Sequence, residues 1–356
     1  FENDRKKTLE GHRDDLTRIN YQEGMGDMRD KADRLQKLTK AIGKDWDFTA
    51  EEAADADRAA FLSKSDLATG MVTEFTELQG EMGKEYALLD GEKPEVAKAI
   101  FEQYMPRFAG DILPQQEIGR ALSLADKLDN LAATFLRGLI PTGSQDPFAL
   151  RRQTIGAVNI LTDGKIHWDI RRGIEAALAL LPGDEETKKT VLSQIEDFFR
   201  QRIKAIMLDE GIAYDIIDAV LAGPVDDIYA LFLKARSMAE SQLKDETELR
   251  QAVTRLANIT KGKTGGKVDP SLFNEDVEKK LQDAFEAVSA KALPLFASYE
   301  YGKALPALKE LTAPINDYLD NVMVMVDDEA VKNNRISQLL ATLDLFNTWG
   351  DFSKLV

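Results

Sequence analysis

The sequence predicts an all-α protein. Three observations carry that reading: apolar residues recur every three or four positions along almost the whole chain, sustained alternation with period two is scarce, and the prolines fall between the periodic runs. In chain order, Ile118, Leu122, Ala125, Leu128, Leu131 and Phe135 form one amphipathic stripe, and Gly138 follows as a stop. A helix-like run ends near Leu221 and another begins near Asp226. LRQAVTRLANIT, residues 249–260, reads as helix; Val277, Leu281, Ala284 and Val288 repeat the spacing, as do Ile336, Leu339, Leu340, Leu343 and Phe346. Pro106, Pro114, Pro141, Pro147, Pro182, Pro224, Pro270, Pro294, Pro306 and Pro314 are expected to punctuate helices of roughly 10 to 25 residues rather than interrupt them.

The chain has 356 residues, enough for two domains with a sizeable core. Ala222-Gly223-Pro224 looks like the seam, which gives domains of 1–222 and 223–356, while Gly262-Lys263-Thr264-Gly265-Gly266 is the most flexible-looking stretch. No fixed-period repeat appears, so a solenoid is not expected. Lysine and arginine total 46 against 62 acidic residues, a net charge of -16. A uniformly basic coat for nucleic acid or membrane is thereby excluded, and any polyanion contact has to be local. Residues 51–100 carry 5 basic against 12 acidic groups, whereas 151–200 balance at 8 and 8 and 251–300 at 7 and 7, so the last two stretches are where such a contact is expected. Cysteine is absent, which removes disulfides, thiol nucleophiles and cysteine metal sites. No apolar run approaches the roughly 20 residues that span a bilayer, and the charged start lacks a signal-peptide pattern. A cytoplasmic protein with no membrane partner is the expectation, and a first residue of Phe1 points to a fragment.

Several constellations invite chemistry. Lys261, Lys263 and Lys267 sit among glycines, but a phosphate-binding loop ending at Gly262-Lys263-Thr264 requires glycine where Ala257 stands, and the preceding segment reads as helix rather than strand. A solvated loop able to reach a polyanion is the reading that survives. Arg151 and Arg152 follow the turn-forming PTGSQDP; on a helix they point about 100° apart, so one can pair inside while the other meets a phosphate. Asp126 and Asp129 share one helix face, yet neither His12 nor His167 is near in sequence to complete a metal site. His167, beside Trp168, reads as packed or hydrogen-bonded, and no Ser-His-Asp arrangement can be assembled.

The string ADKLDNLAATFLRGLIPTGSQDPFALRR, residues 125–152, closely resembles the β subunit of the bacterial α2β2-type glycyl-tRNA synthetase. LSKSDLATGMVTEFTELQGEMGKEYA (62–87), VAKAIFEQYMPRFAGDILP (96–114), DEGIAYDIIDAVLA (209–222), DNVMVMVDDEAVKNNR (320–335) and the terminal DFSKLV look like the same family in the same order, namely its C-terminal half. The resemblance implies a helical domain derived from the HD phosphohydrolases, followed by a helical-bundle anticodon-binding domain of the DALR type. In HD enzymes histidines and aspartates hold divalent metals. Here Lys64-Ser65-Asp66 aligns with the central His-Asp pair and Asp126 with the last aspartate, and Gln103 stands where many relatives carry histidine. Asp66 and Asp126 are thus vestigial, and the domain is expected to hold no metal and to hydrolyse nothing.

The resemblance further implies that glycine activation, with its ATP and Mg, belongs to the α subunit, that no cofactor binds this chain, and that the partners are tRNA(Gly), the α subunit and a second β subunit. Arg255, Asn258, Asn333, Asn334 and Arg335, in the strings RLANI and VKNNR, are expected at the anticodon, since planar donors can read unstacked base edges. Lys261, Lys263, Lys267 and Lys332 are expected to supply phosphate charge there, and Arg107, Arg137, Arg151 and Arg152 to meet the acceptor arm. The NTWG before DFSKLV departs from the family's apolar run, so the last helix is expected to stop early at Gly350. Two other classes compete: a metal-dependent HD phosphohydrolase, short of ligands with two histidines, and a helical scaffold that assembles subunits without touching RNA.

Overall fold

A computed structural model describes residues 1–355. It is all-α, with three isolated β-bridges as the only extended pairing among the described residues. The chain forms two compact units: Phe1–Ile203 with Val225–Tyr229, and Lys204–Pro224 with Ala230–Val356. The division therefore falls inside a helix rather than at the Ala222-Gly223-Pro224 seam, and a short segment just past that seam belongs to the first unit. Among the described residues, no helix is long and apolar enough to cross a membrane.

The first unit is built from α1 (Leu9–Arg13), α2 (Met28–Asp45), α3 (Ala50–Leu62), α4 (Gly70–Glu74), α5 (Glu81–Leu89), α6 (Pro94–Glu102), α7 (Glu117–Leu136), α8 (Leu150–Asp163), α9 (Ile170–Ala179) and most of α10 (Glu185–Asp209). Starts are set locally. Asp27 and Asp30 close a reciprocal capping box on α2, Thr49 and Glu52 do so on α3, and Pro94 opens α6, where its missing N–H costs nothing. The axis is α7, whose predicted stripe Ile118, Leu122, Ala125, Leu128, Leu131 and Phe135 is buried under α2, α3, α6, α8 and α9. Each leucine so covered is worth about 1.5–3 kcal/mol relative to exposure. Gly156 lets α8 come close: a Cβ there would lie 2.9 Å from the Lys127 side chain.

The second unit contains α11 (Tyr214–Val220), α12 (Ile228–Glu240, apart from its first residues), α13 (Thr247–Thr260), α14 (Asp276–Ala297), α15 (Leu305–Lys309), α16 (Thr312–Asn321) and α17 (Glu329–Asn347). Pro294 departs from the expected punctuation, lying inside the last turn of α14. The final helix does stop early. Its last residue is Asn347, after which Trp349 turns into the core, its indole N–H donating to Ser237 Oγ at 3.0 Å and its ring edge-packed with Phe352 at 5.7 Å.

A buried charge cluster and two cationic faces

Asp126 and Asp129 face inward from the middle of α7, and their partners come from α2 and from Lys64. The Lys31 ammonium lies 2.9 Å from Asp126 Oδ1 and donates to Asp129 Oδ2 and Asn130 Oδ1, each at 2.9 Å. Lys64 donates to Asp126 Oδ2 at 2.8 Å from a backbone held at φ 66°, the left-handed region that a lysine rarely adopts. Arg34 holds Asp129 through Nε at 2.6 Å and Nη2 at 3.1 Å. Both carboxylates are thus neutralised by fixed cations.

The electrostatics follow from that packing. Burial opposes the charged forms of Asp126 and Lys31, but the opposite charges overcome it and hold Asp126 well below, and Lys31 well above, their ordinary ranges. Lys64 goes the other way: burial, helped by the nearby Lys31 charge, pushes it down despite Asp126. Asp66 is also fully buried, which raises it, and its oxygens accept from the Gly80 N–H at 2.7 Å and the Tyr104 hydroxyl at 2.9 Å. Next to the cluster, Lys127 has no carboxylate partner; it donates to the Met105 carbonyl and Ser123 Oγ, each at 2.6 Å, and burial pushes it down to about 7.

A divalent cation does not fit these residues. Lys31 sits between the aspartates and Lys64 holds the other oxygen of Asp126, Gln103 is buried and bonded through Nε2 to the Ile100 carbonyl, and among the described residues no group of three or more potential ligands converges. The histidines lie elsewhere. His12 shares a 2.8 Å hydrogen bond with the Asp4 carbonyl, and His167 packs on Tyr229 with Asp227 Oδ2 2.7 Å from Nδ1.

The expected acceptor-arm arginines divide. Arg107 and Arg152 are brought together, Arg152 Nη1 donating to the Arg107 carbonyl at 3.1 Å, while Arg107 itself is forked onto Asp111 at 2.9 and 3.1 Å. Arg151 donates to the Gly143 carbonyl at 2.7 Å. Arg137, at the end of α7, pairs with Glu23 at 3.2 Å. Sequence reasoning passed over Arg202, which lines a cleft with Arg151. It also passed over Lys31 and Arg34, although their presence in the apolar register of α2 between Met28, Leu35, Leu38 and Ile42 was a readable signal of buried charge.

In the second unit, Arg255 on α13 donates to Asn316 Oδ1 at 2.9 Å and Asp320 Oδ1 at 2.5 Å, and stays half-exposed. Asn258 and Asn333 are exposed, as are Lys261, Lys263 and Lys267; Lys332 is paired with Glu329. Two expectations need correction. Asn334 is buried, accepting from the Asp269 N–H at 2.7 Å and donating to the Asp269 carbonyl at 3.0 Å. Arg335 is buried too, forked onto Glu278 at 2.9 and 3.2 Å and donating to the Met323 carbonyl at 2.8 Å. Their planar donors are consumed inside the bundle, so neither presents a face to a base. The loop after α13 is likewise less free than its glycines imply, because the Gly266 N–H donates to Ser337 Oγ at 2.8 Å.

Comparison with known proteins gives two matches along the chain. Residues 1–222 match the family described as glycyl-tRNA synthetase beta subunit, and residues 249–350 match the DALR anticodon binding domain. The glycine–tRNA ligase beta subunit of Clostridioides difficile (strain 630) is 43% identical over 357 residues, covering 100% of this chain and 52% of the relative. That of Desulforamulus reducens is 39% identical over 360 residues, with 100% and 52% covered, and that of Halothermothrix orenii (strain H 168) is 40% identical over 344 residues, with 95% and 50% covered. The chain spans about half the length of the curated relatives it matches. On the strength of a match that runs through most of its length, this chain belongs to the glycyl-tRNA synthetase beta subunit family.

Proposed function

We propose that this chain is the tRNA-recognising part of a glycine–tRNA ligase, with no catalytic residue of its own. The observation that carries the reading is the match of residues 249–350, the bundle bearing the exposed planar and cationic groups, to an anticodon-binding domain. In that bundle Arg255, Asn258 and Asn333 are the base readers, and Lys261, Lys263, Lys267 and Lys332 supply phosphate charge. Arg107, Arg137, Arg151 and Arg152 of the first unit meet the acceptor arm. Glycine, ATP and Mg bind an α subunit, which performs the aminoacylation, and a second β subunit completes an α2β2 assembly in the cytoplasm.

The first unit is a degenerate, non-hydrolytic relative of the HD fold. Supporting that reading, the lysines at 31 and 64 neutralise the carboxylates that would otherwise call for a metal. Binding of the full-length protein to tRNA(Gly) and to the same tRNA with altered anticodon bases, across a salt series, tests the proposal. Affinity is expected to fall with the anticodon change and, steeply, with salt. Absent binding, or binding indifferent to the anticodon, overturns it in favour of a scaffold.

A further inference from the structure

Arginines of the first unit fall into two classes. Arg107, Arg120, Arg137, Arg171 and Arg172 each lie against a carboxylate. Arg151, Arg152 and Arg202 instead donate to neutral acceptors: the Gly143 carbonyl, the Arg107 carbonyl and the Gln201 side-chain oxygen. In a chain where 62 acids face 46 bases, guanidinium groups left without an acid are the exception.

Two of the three share a cleft of about 220 Å³. Arg151 enters it from the first turn of α8 and Arg202 from α10; Ile140 and Pro141 form an apolar edge, and Gln194 and Gln201 supply amides. Arg202 is fixed in place: its guanidinium lies 4.9 Å from the centre of the Phe198 ring, and Nη2 donates to Gln201 at 2.9 Å. Its Nε is shielded from water and makes no hydrogen bond within the protein. Burial and the neighbouring Arg151 charge both disfavour its protonated form, and Asp146 only partly compensates. Asp197 also lines the cleft, exposed and 3.8 Å from Arg200, so it sets the polarity of the rim rather than neutralising the pair.

We propose that this cleft is a phosphate-binding site in which Arg151 and Arg202 together clamp one phosphate group. Planar guanidinium forks match the oxygens of a phosphate, and two of them flanked by amides can hold one from two sides. The source of that phosphate is the backbone of the bound RNA, which rests on the tRNA-recognition reading; a free phosphate is the other source of the same chemistry. Arg202 thereby joins the RNA contacts, and the cleft fixes register rather than sequence.

The test uses the full-length protein, its R202Q and R151Q/R202Q variants and the conservative R202K, with melting curves to confirm folding. For an RNA phosphate, R202Q is expected to weaken tRNA(Gly) binding about 3- to 10-fold, to do so equally for an anticodon-altered tRNA, and to lower the salt slope by about 1. R202K should recover part of the loss. A separate arm titrates inorganic phosphate at constant ionic strength: a rise in Tm that R202Q abolishes, with tRNA affinity untouched, keeps the phosphate site and assigns it to the free anion. Unchanged tRNA affinity and salt slope together with no phosphate-dependent Tm shift overturn the proposal. Should the wild type fail to bind tRNA at all, the tRNA reading falls and the phosphate arm still decides the cleft. If R202Q fails to fold, R151Q alone and R202K carry both arms.

Discussion

Asn334 and Arg335 show how one residue type serves opposite ends. Asparagine and arginine suit base edges because their donors are planar, and the same planarity lets Asn334 clasp the Asp269 backbone and Arg335 fork onto Glu278. Arg335→Met is therefore expected to behave as a folding variant. It leaves Glu278 buried without its partner, at a cost of about 3–5 kcal/mol, visible as a large fall in Tm. Asn333→Ala, next in sequence but exposed, should leave Tm unchanged and weaken tRNA binding alone. Lys127 gives a second prediction. Its folded pKa of about 7 lies below the unfolded value of 10.5, so between those limits the unfolded chain holds more protons and stability rises with pH. The penalty is complete below about pH 7 and gone above about pH 10.5; Lys127→Met should flatten this dependence in melting curves taken from pH 7 to 10.

Among the elements, α7 was the most legible in the sequence, since six apolar positions at helical spacing and a closing glycine leave little else for it to be. The early end of the last helix was legible from another signal, the departure of NTWG from the family's apolar run, and it falls at Asn347 rather than Gly350. What could not be read was which charges meet. Lys31 and Arg34 in the apolar register of α2 and Asp126 and Asp129 on one face of α7 are separate local signals, and only the crossing of α2 over α7 brings them together. Arg202 was hidden because nothing local distinguishes a spare arginine from a paired one; the absence of an acid is a property of the fold. Asp129→Ala tests the α2–α7 clasp: Lys31 and Arg34 lose a common partner, and a loss of about 3–5 kcal/mol is expected in denaturant unfolding. The segment after α13 makes the opposite prediction. Replacing Lys261, Lys263 and Lys267 with alanine should lower the salt slope of tRNA binding by about 3 without moving Tm, because these side chains are exposed and the loop is held by Ser337 and Asn334 instead.

At the scale of the whole molecule, an acidic chain that binds RNA must concentrate its attraction. Under the proposed tRNA reading, a net charge of -16 repels a polyanion at most approaches, and cations without an acid, such as Arg151 and Arg202, are where one is expected to be admitted. Substituting paired surface lysines such as Lys291, which sits on Glu310, should accordingly leave tRNA affinity within about twofold of wild type. The lysine-filled centre of the first unit has a consequence of another sort. A metal ion is borrowed from the surroundings and can be stripped by a chelator or displaced by a competitor, whereas an ammonium group arrives with the polypeptide and cannot leave it. With Lys31 bridging Asp126 and Asp129 and Lys64 paired with Asp126, the domain carries its own counter-ions from the moment of synthesis. At this cluster, the counter-charge is drawn from the chain itself.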